Sequence, residues 1–229
     1  MEFLIKLALF IHIATGSVAL LTGIIPMVVQ KGGKLHNRAG LFYVRAMIIM
    51  AASAMLLCLI QPFTLFRLFL VGIAVFSFYL SFTGWRAVRQ KRKNHQLSLI
   101  DRLLPYGAML TGLSMVGFGL WLISQASSFM SILFTFFGAL TAFFGFQDWR
   151  RMGGTNEKMA WLFLHFTRMG GSYISAFTAF VVVNNGRMLP AGTPDWVYLA
   201  GWIAPTFVGG AIIGATVARY KKRFEMEKG

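Results

Sequence analysis

An all-α, integral membrane fold is what this sequence predicts: a bundle of seven transmembrane helices with its N-terminus outside and its C-terminus in the cytoplasm. Three observations predict it. Seven apolar runs are long enough to cross a bilayer, the basic residues gather on alternate linkers, and aromatic residues stand at the run ends. The composition agrees, since 57% of the 229 residues are hydrophobic and only 13% are charged.

The runs are 3–29, 41–60, 63–85, 106–124, 129–146, 161–183 and 196–218. A helix rises about 1.5 Å per residue and the hydrocarbon slab is about 30 Å thick, so a span needs roughly 18 to 25 apolar residues. Even the shortest run qualifies. The first is too long for a cleaved signal peptide and is read as a span. The longest linker, 86–105, leaves no room for a soluble domain, so a single membrane domain over 1–229 is expected.

Lys31, Lys34 and Arg38 follow the first run; Arg86, Arg89, Lys91, Arg92, Lys93 and Arg102 follow the third. Arg150, Arg151 and Lys158 follow the fifth, and Arg219, Lys221, Lys222, Arg223 and Lys228 the seventh. That places 17 of the 22 basic residues on one side, which the positive-inside rule makes the cytoplasmic one. The net charge of +15 is therefore accounted for by topology and by anionic lipid on the cytoplasmic side, and nucleic acid is excluded as a partner. Trp85, Tyr106, Trp149, Trp161 and Tyr220 mark inner ends; Trp121, Trp196 and Tyr198 mark outer ones.

Taken in order, span one carries His12 about 13 Å into the slab, with Thr15 and Gly16 on the same face, and Pro26 near its inner end. Span two carries Arg45 one turn in, after His36, Asn37 and Arg38 of the linker; its lone cysteine, Cys58, permits no internal disulfide and no Cys-x-x-Cys site. Span three has Arg67 as an outer anchor. The stretch 96–104 anchors the start of span four or lies on the inner leaflet as a short amphipathic helix. Gly112, Gly117 and Gly119 in span four, and Gly138, Ala142 and Gly145 in span five, mark close packing, as do Gly210 and Gly214 in span seven; the partner is a neighbouring helix or a second copy of the chain. Asp148 ends span five. Span six carries His165, Arg168, Ser172 and Tyr173 near its inner end, and Pro205 interrupts span seven.

An ionisable group in hydrocarbon must be paired, hydrated or able to snorkel, so each is a candidate for function. Arg45 and Arg168 have stems long enough to snorkel, but His165 does not and shares a face with Arg168. The expectation is a pocket open to the cytoplasm, bordered by His36 and Arg38, in which Arg45 and Arg168 supply charge while His165 and Asp148 move protons. His12, Ser172 and Tyr173 complete the candidate set.

Other chemistries fit less well. A retinal protein needs a lysine in its last span, and 196–218 has none. A haem gripped by two histidines needs them at matched depth, whereas His12 and His165 differ by roughly 10 Å along upright helices and His36 and His95 lie in linkers. His36, Asp148 and His165 are the candidate metal ligands, without a His-x-x-x-His or His-Glu-x-x-His spacing to make the signal specific. No P-loop, no nucleophile elbow and no sequon occurs; the lack of a sequon fits a multi-pass protein of a bacterial inner membrane. No cofactor is clearly implied.

The segments His12 to Gly23 and Lys31 to Tyr43, with the block His165 to Asn184, resemble predicted bacterial membrane proteins of domain-of-unknown-function family 2306, the last block as it stands in Bacteroidetes-type members. The resemblance implies a multi-helix membrane protein, brings no established activity with it, and singles out His12, His36, Arg38, His165 and Arg168. Three functional classes follow. The first is a bundle that binds or moves a small solute, an anion, a lipid headgroup or a proton. The second is a haem- or metal-bearing redox or hydrolytic protein, and the third an accessory subunit of a homo-oligomer or larger membrane complex. Enzymatic activity is not favoured.

Overall fold

The structure, a computed structural model, describes residues 1–91, 96–126, 128–154 and 159–226, and these form helices with no strand. Arg92, Lys93, His95, Glu157, Lys158 and Lys228 lie outside the described residues. The elements are α1 (Glu2–Val28), α2 (Lys34–Ile60), α3 (Leu65–Ala87) with a 3₁₀ turn (Val88–Lys91), α4 (Leu99–Gln125), α5 (Phe129–Arg151), α6 (Ala160–Val183), α7 (Asn185–Met188) and α8 (Asp195–Met226). Pro26, Pro105 and Pro205 fall inside α1, α4 and α8, which continue through them.

Two helices begin a full seven residues before their apolar runs. α2 starts at Lys34 instead of 41, so His36 and Arg38 are helical and not linker residues. α4 starts at Leu99 instead of 106, absorbing the stretch that had a surface helix as its alternative. The cause at α4 is local: Ser98 and Asp101 form a capping box, with the Ser98 N–H donating to Asp101 Oδ2 at 3.0 Å. Ser128 and Ser131 cap α5 in the same way. Hydrophobic run length marks the slab, whereas caps mark the helix, and helices overrun the slab.

Among the described residues six helices, α1 to α5 and α8, are long and apolar enough to cross a membrane. α6, the sixth expected span, has 24 residues but is not among them. His165, Thr167, Arg168, Ser172, Tyr173 and Ser175 dilute its apolar character.

By internal contact the chain forms two compact units, Met1–Phe82 with Leu97–Gly154, and Thr83–Gln96 with Thr155–Gly229. Within the first, α1 and α2 form one antiparallel hairpin and α4 and α5 another. Glycine sets the second: a Cβ on Gly112 would stand 2.6 Å from Gly138 O, and one on Gly145 2.8 Å from Pro105 O, so the two backbones touch where side chains would keep them apart. Gly117 faces open space. α3 lies along α5 through edge contacts of Phe69 with Phe134 and Phe137, centroids 5.5 and 5.7 Å apart, and the stacking of Phe76 on Phe144.

In the second unit α6 packs on α8. The seats are Gly209 beneath Ile174 and Gly170 beneath Ile213, while Gly210 and Gly214, the expected packing pair, meet nothing within 4 Å of an added Cβ. Lys91 lies over the Trp161 ring at 5.7 Å and Lys221 over Phe163 at 5.2 Å, so basic side chains at these helix ends use aromatic faces.

Candidate functional site

The three described histidines share one arrangement, which their chemistry explains. His12 Nδ1 stands 3.1 Å from Met50 O and 3.2 Å from Ser53 Oγ; His36 Nδ1 is 3.2 Å from Pro26 O; His165 Nδ1 is 2.8 Å from Gly84 O. A carbonyl oxygen only accepts, so in each ring Nδ1 carries the donated proton.

For two of them the acceptor identifies a structural task. Pro26 O belongs to the last turn of α1, where carbonyls have no partner within their own helix, and Gly84 O lies where α3 passes into the 3₁₀ turn Val88–Lys91. His36 and His165 satisfy these carbonyls from outside. Lys31 joins His36, its Nζ donating to Pro26 O at 2.7 Å and Met27 O at 2.6 Å, which places a cation at the negative end of the α1 dipole. Partial burial pushes that ammonium below the usual lysine range. His12 is different: its acceptor lies in mid-helix, so it joins the α1 and α2 faces where Ser53 also donates to Met50 O, at 2.9 Å.

Asp148 accepts a 2.6 Å hydrogen bond from the Tyr79 hydroxyl, joining α5 to α3 one turn beyond the Phe76–Phe144 stack. Tyr79 is buried, and nothing in the sequence distinguished it from a core aromatic. Arg38 and Arg45 are exposed on α2. Arg67 donates to Pro62 O, tying down the turn between α2 and α3.

Arg168 is the exceptional residue. It is 1% exposed and heads the largest fully buried side chains of the chain. Gly84 makes its position possible: a Cβ there would come 2.9 Å from Arg168 Cβ and 3.0 Å from Met169 N. Ser172, Ser175 and Thr178 follow Arg168 on α6, all buried; Tyr173 is half-buried. Arg86, read from the sequence as a linker charge, is buried as well.

Arg38, Arg45 and Asp148 belong to the first unit, and His165, Arg168, Ser172 and Tyr173 to the second. Among the described residues no group of three or more His, Cys, Asp or Glu stands where it would hold a metal ion.

Residues 9–102 match the family model described as Predicted membrane protein (DUF2306). The DUF2306 match covers most of α1, all of α2 and α3, and the first residues of α4, so His12, His36, Arg38, Arg45, Tyr79 and Gly84 fall inside it. Asp148 and the polar residues of α6 fall outside. No curated protein and no solved structure matches the chain.

Proposed function

We propose that this multi-pass membrane protein binds and translocates a small anion or a proton, and that α6 is a seventh span carrying the path. The observation that supports the reading is the burial of Arg168 in a helix whose other side is apolar. A charged side chain within a membrane helix costs up to about 2.5–3.5 kcal/mol on insertion scales, the full figure applying at the helix centre, so it is retained where it has a task. Its planar guanidinium offers five donors and cannot be deprotonated, which suits an anion that must be held without being titrated.

In this reading the N-terminus faces out and the C-terminus lies in the cytoplasm of a bacterial inner membrane. Lys and Arg beside the inner ends attract anionic lipid and raise the local anion concentration at the entrance.

The test uses proteoliposomes loaded with a pH-sensitive dye and given a chloride or phosphate gradient. The wild-type protein dissipates the gradient, Arg168→Gln slows dissipation at least tenfold, and Arg168→Lys retains part of the rate. Flux equal to that of empty liposomes, or unaltered flux in folded Arg168→Gln, ends the proposal.

A further inference from the structure

Between α3 and α4, inside the first compact unit, runs an open groove of about 330 Å³. Phe78 and Tyr79 of α3 and Ile100, Leu103, Gly107 and Thr111 of α4 line it. The four α4 residues follow one another at intervals of three, four and four, which places them on one face of the helix. Gly107 leaves the wall open where a side chain would fill it, since a Cβ there meets nothing within 4 Å. Tyr79 contributes its ring, because its hydroxyl is engaged by Asp148 at 2.6 Å. The lining is almost wholly apolar, so the groove offers water too few partners to hold it.

Its dimensions select the occupant. From Ile100 to Thr111 the groove follows α4 for about 16 Å, against about 15 Å for half of the hydrocarbon slab. Spread over that length, its volume gives a mean cross-section of about 20 Å². That is room for one hydrocarbon chain, whereas a helix about 10–12 Å across with its side chains has about four to five times the section. The groove therefore admits a lipid tail and excludes a helix from a second copy of the chain. Its Ile100 end is polar: the Ser98–Asp101 capping box starts α4, and Arg102 follows. Arg102 is exposed, and among the described residues its guanidinium has no hydrogen bond or ion pair. A cation beside the positive end of a helix dipole is repelled by it, while an anion at that place is attracted by both. The mouth thus carries the charge that complements an anionic headgroup, at the end where a headgroup belongs.

We infer that the α3–α4 groove is a lipid site: it seats one acyl chain of an anionic phospholipid from the leaflet at the start of α4, with the phosphate held by Arg102 and the first-turn N–H groups of α4. In the topology proposed above this is the cytoplasmic leaflet. The second acyl chain stays in the bilayer, so no chain leaves hydrocarbon. Arginine suits the task because its fork matches phosphate oxygens and its charge does not titrate. The site goes beyond the translocation reading and does not depend on it, since a protein that moves no ion would hold the lipid equally well.

The experiment uses the full chain, purified in mild detergent, supplied with equimolar phosphatidylglycerol and phosphatidylethanolamine and washed; mass spectrometry of the intact complex then counts the lipid retained. The wild-type protein is expected to keep phosphatidylglycerol over phosphatidylethanolamine by about fivefold, the scale of a charge at a helix terminus. Gly107→Leu, which fills the groove, should lower retention by at least about fivefold through overpacking of the bound chain. Gly117→Leu, equally open but outside the groove's lining, should leave it unaltered. Arg102→Gln should abolish the preference between the two lipids. Retention unaltered in Gly107→Leu, equal retention of the two lipids by the wild type, or a preference that survives Arg102→Gln overturns the inference. A peptide found in the complex and lost with Gly107→Leu overturns it too, because the groove would then belong to a protein partner. Should Gly107→Leu fail to fold, Leu103→Gln, at a lining residue 56% exposed, decides by the same criterion. Failure here leaves the translocation reading standing, since the flux through Arg168→Gln judges that reading alone.

Discussion

At the scale of the residue, partner geometry gives several members of the polar set a structural task. His36 and His165 look alike in sequence as titratable groups near the cytoplasmic boundary, yet each hydrogen-bonds a backbone carbonyl of another helix, His36 that of Pro26 in the last turn of α1 and His165 that of Gly84 in α3. Asp148 holds α5 to α3 through Tyr79. Removing that hydroxyl takes one donor from a half-buried carboxylate, so Tyr79→Phe is expected to lower stability by about 1 kcal/mol, within the range of interhelical hydrogen bonds measured in membranes. Thermal unfolding in mild detergent measures it; an unshifted midpoint would show that Asp148 draws its support from elsewhere.

At the scale of the element, glycine separates two situations that the sequence presents identically. Gly112 and Gly117 both lie in α4, but only Gly112 has the facing backbone of α5 against it. Gly112→Val should therefore destabilise the α4–α5 hairpin by about 1–3 kcal/mol through overpacking. Gly117→Ala should be neutral or stabilising by up to about 1 kcal/mol, because it adds helix propensity and meets nothing. Paired unfolding measurements on the two variants check this, and equal losses would contradict the hairpin geometry. The small residues of spans four and five marked close packing in the sequence but left open whether a neighbouring helix or a second copy of the chain was the partner; the structure seats Gly112 and Gly119 of α4 against α5. In span seven the same pattern pointed to Gly210 and Gly214, whereas the helix uses Gly209. A shift of one residue turns a helix face by about 100°, and composition does not register it. Gly84 was illegible for another reason: its carbonyl and its missing side chain serve a histidine and an arginine distant in sequence. Helix starts at Lys34 and Leu99 were missed because run length reports hydrocarbon thickness; at Leu99 the Ser98–Asp101 capping box sets the start.

At the scale of the whole molecule, one question governs topology: whether α6 crosses. With six spans both termini share a compartment, and Arg219, Lys221, Lys222, Arg223 and Lys228 lie outside, which lowers the basic residues held inside from 17 to about 13 once Arg187 is returned. Each basic residue near an anionic surface contributes about 1 kcal/mol, so a net four displaced charges cost about 4 kcal/mol. Accommodating Arg168 within a seventh span costs about 2.5–3.5 kcal/mol on insertion scales before any pairing is counted. The balance favours seven, and it favours it more strongly because Arg168 is buried and not presented to lipid. Fusions report the outcome directly. Alkaline phosphatase inserted in the linker 189–194 should be active and green fluorescent protein after residue 229 should fluoresce. The reverse pair of results would mean that α6 stays on the cytoplasmic side and that its buried arginine serves a fold, and not a passage through the membrane.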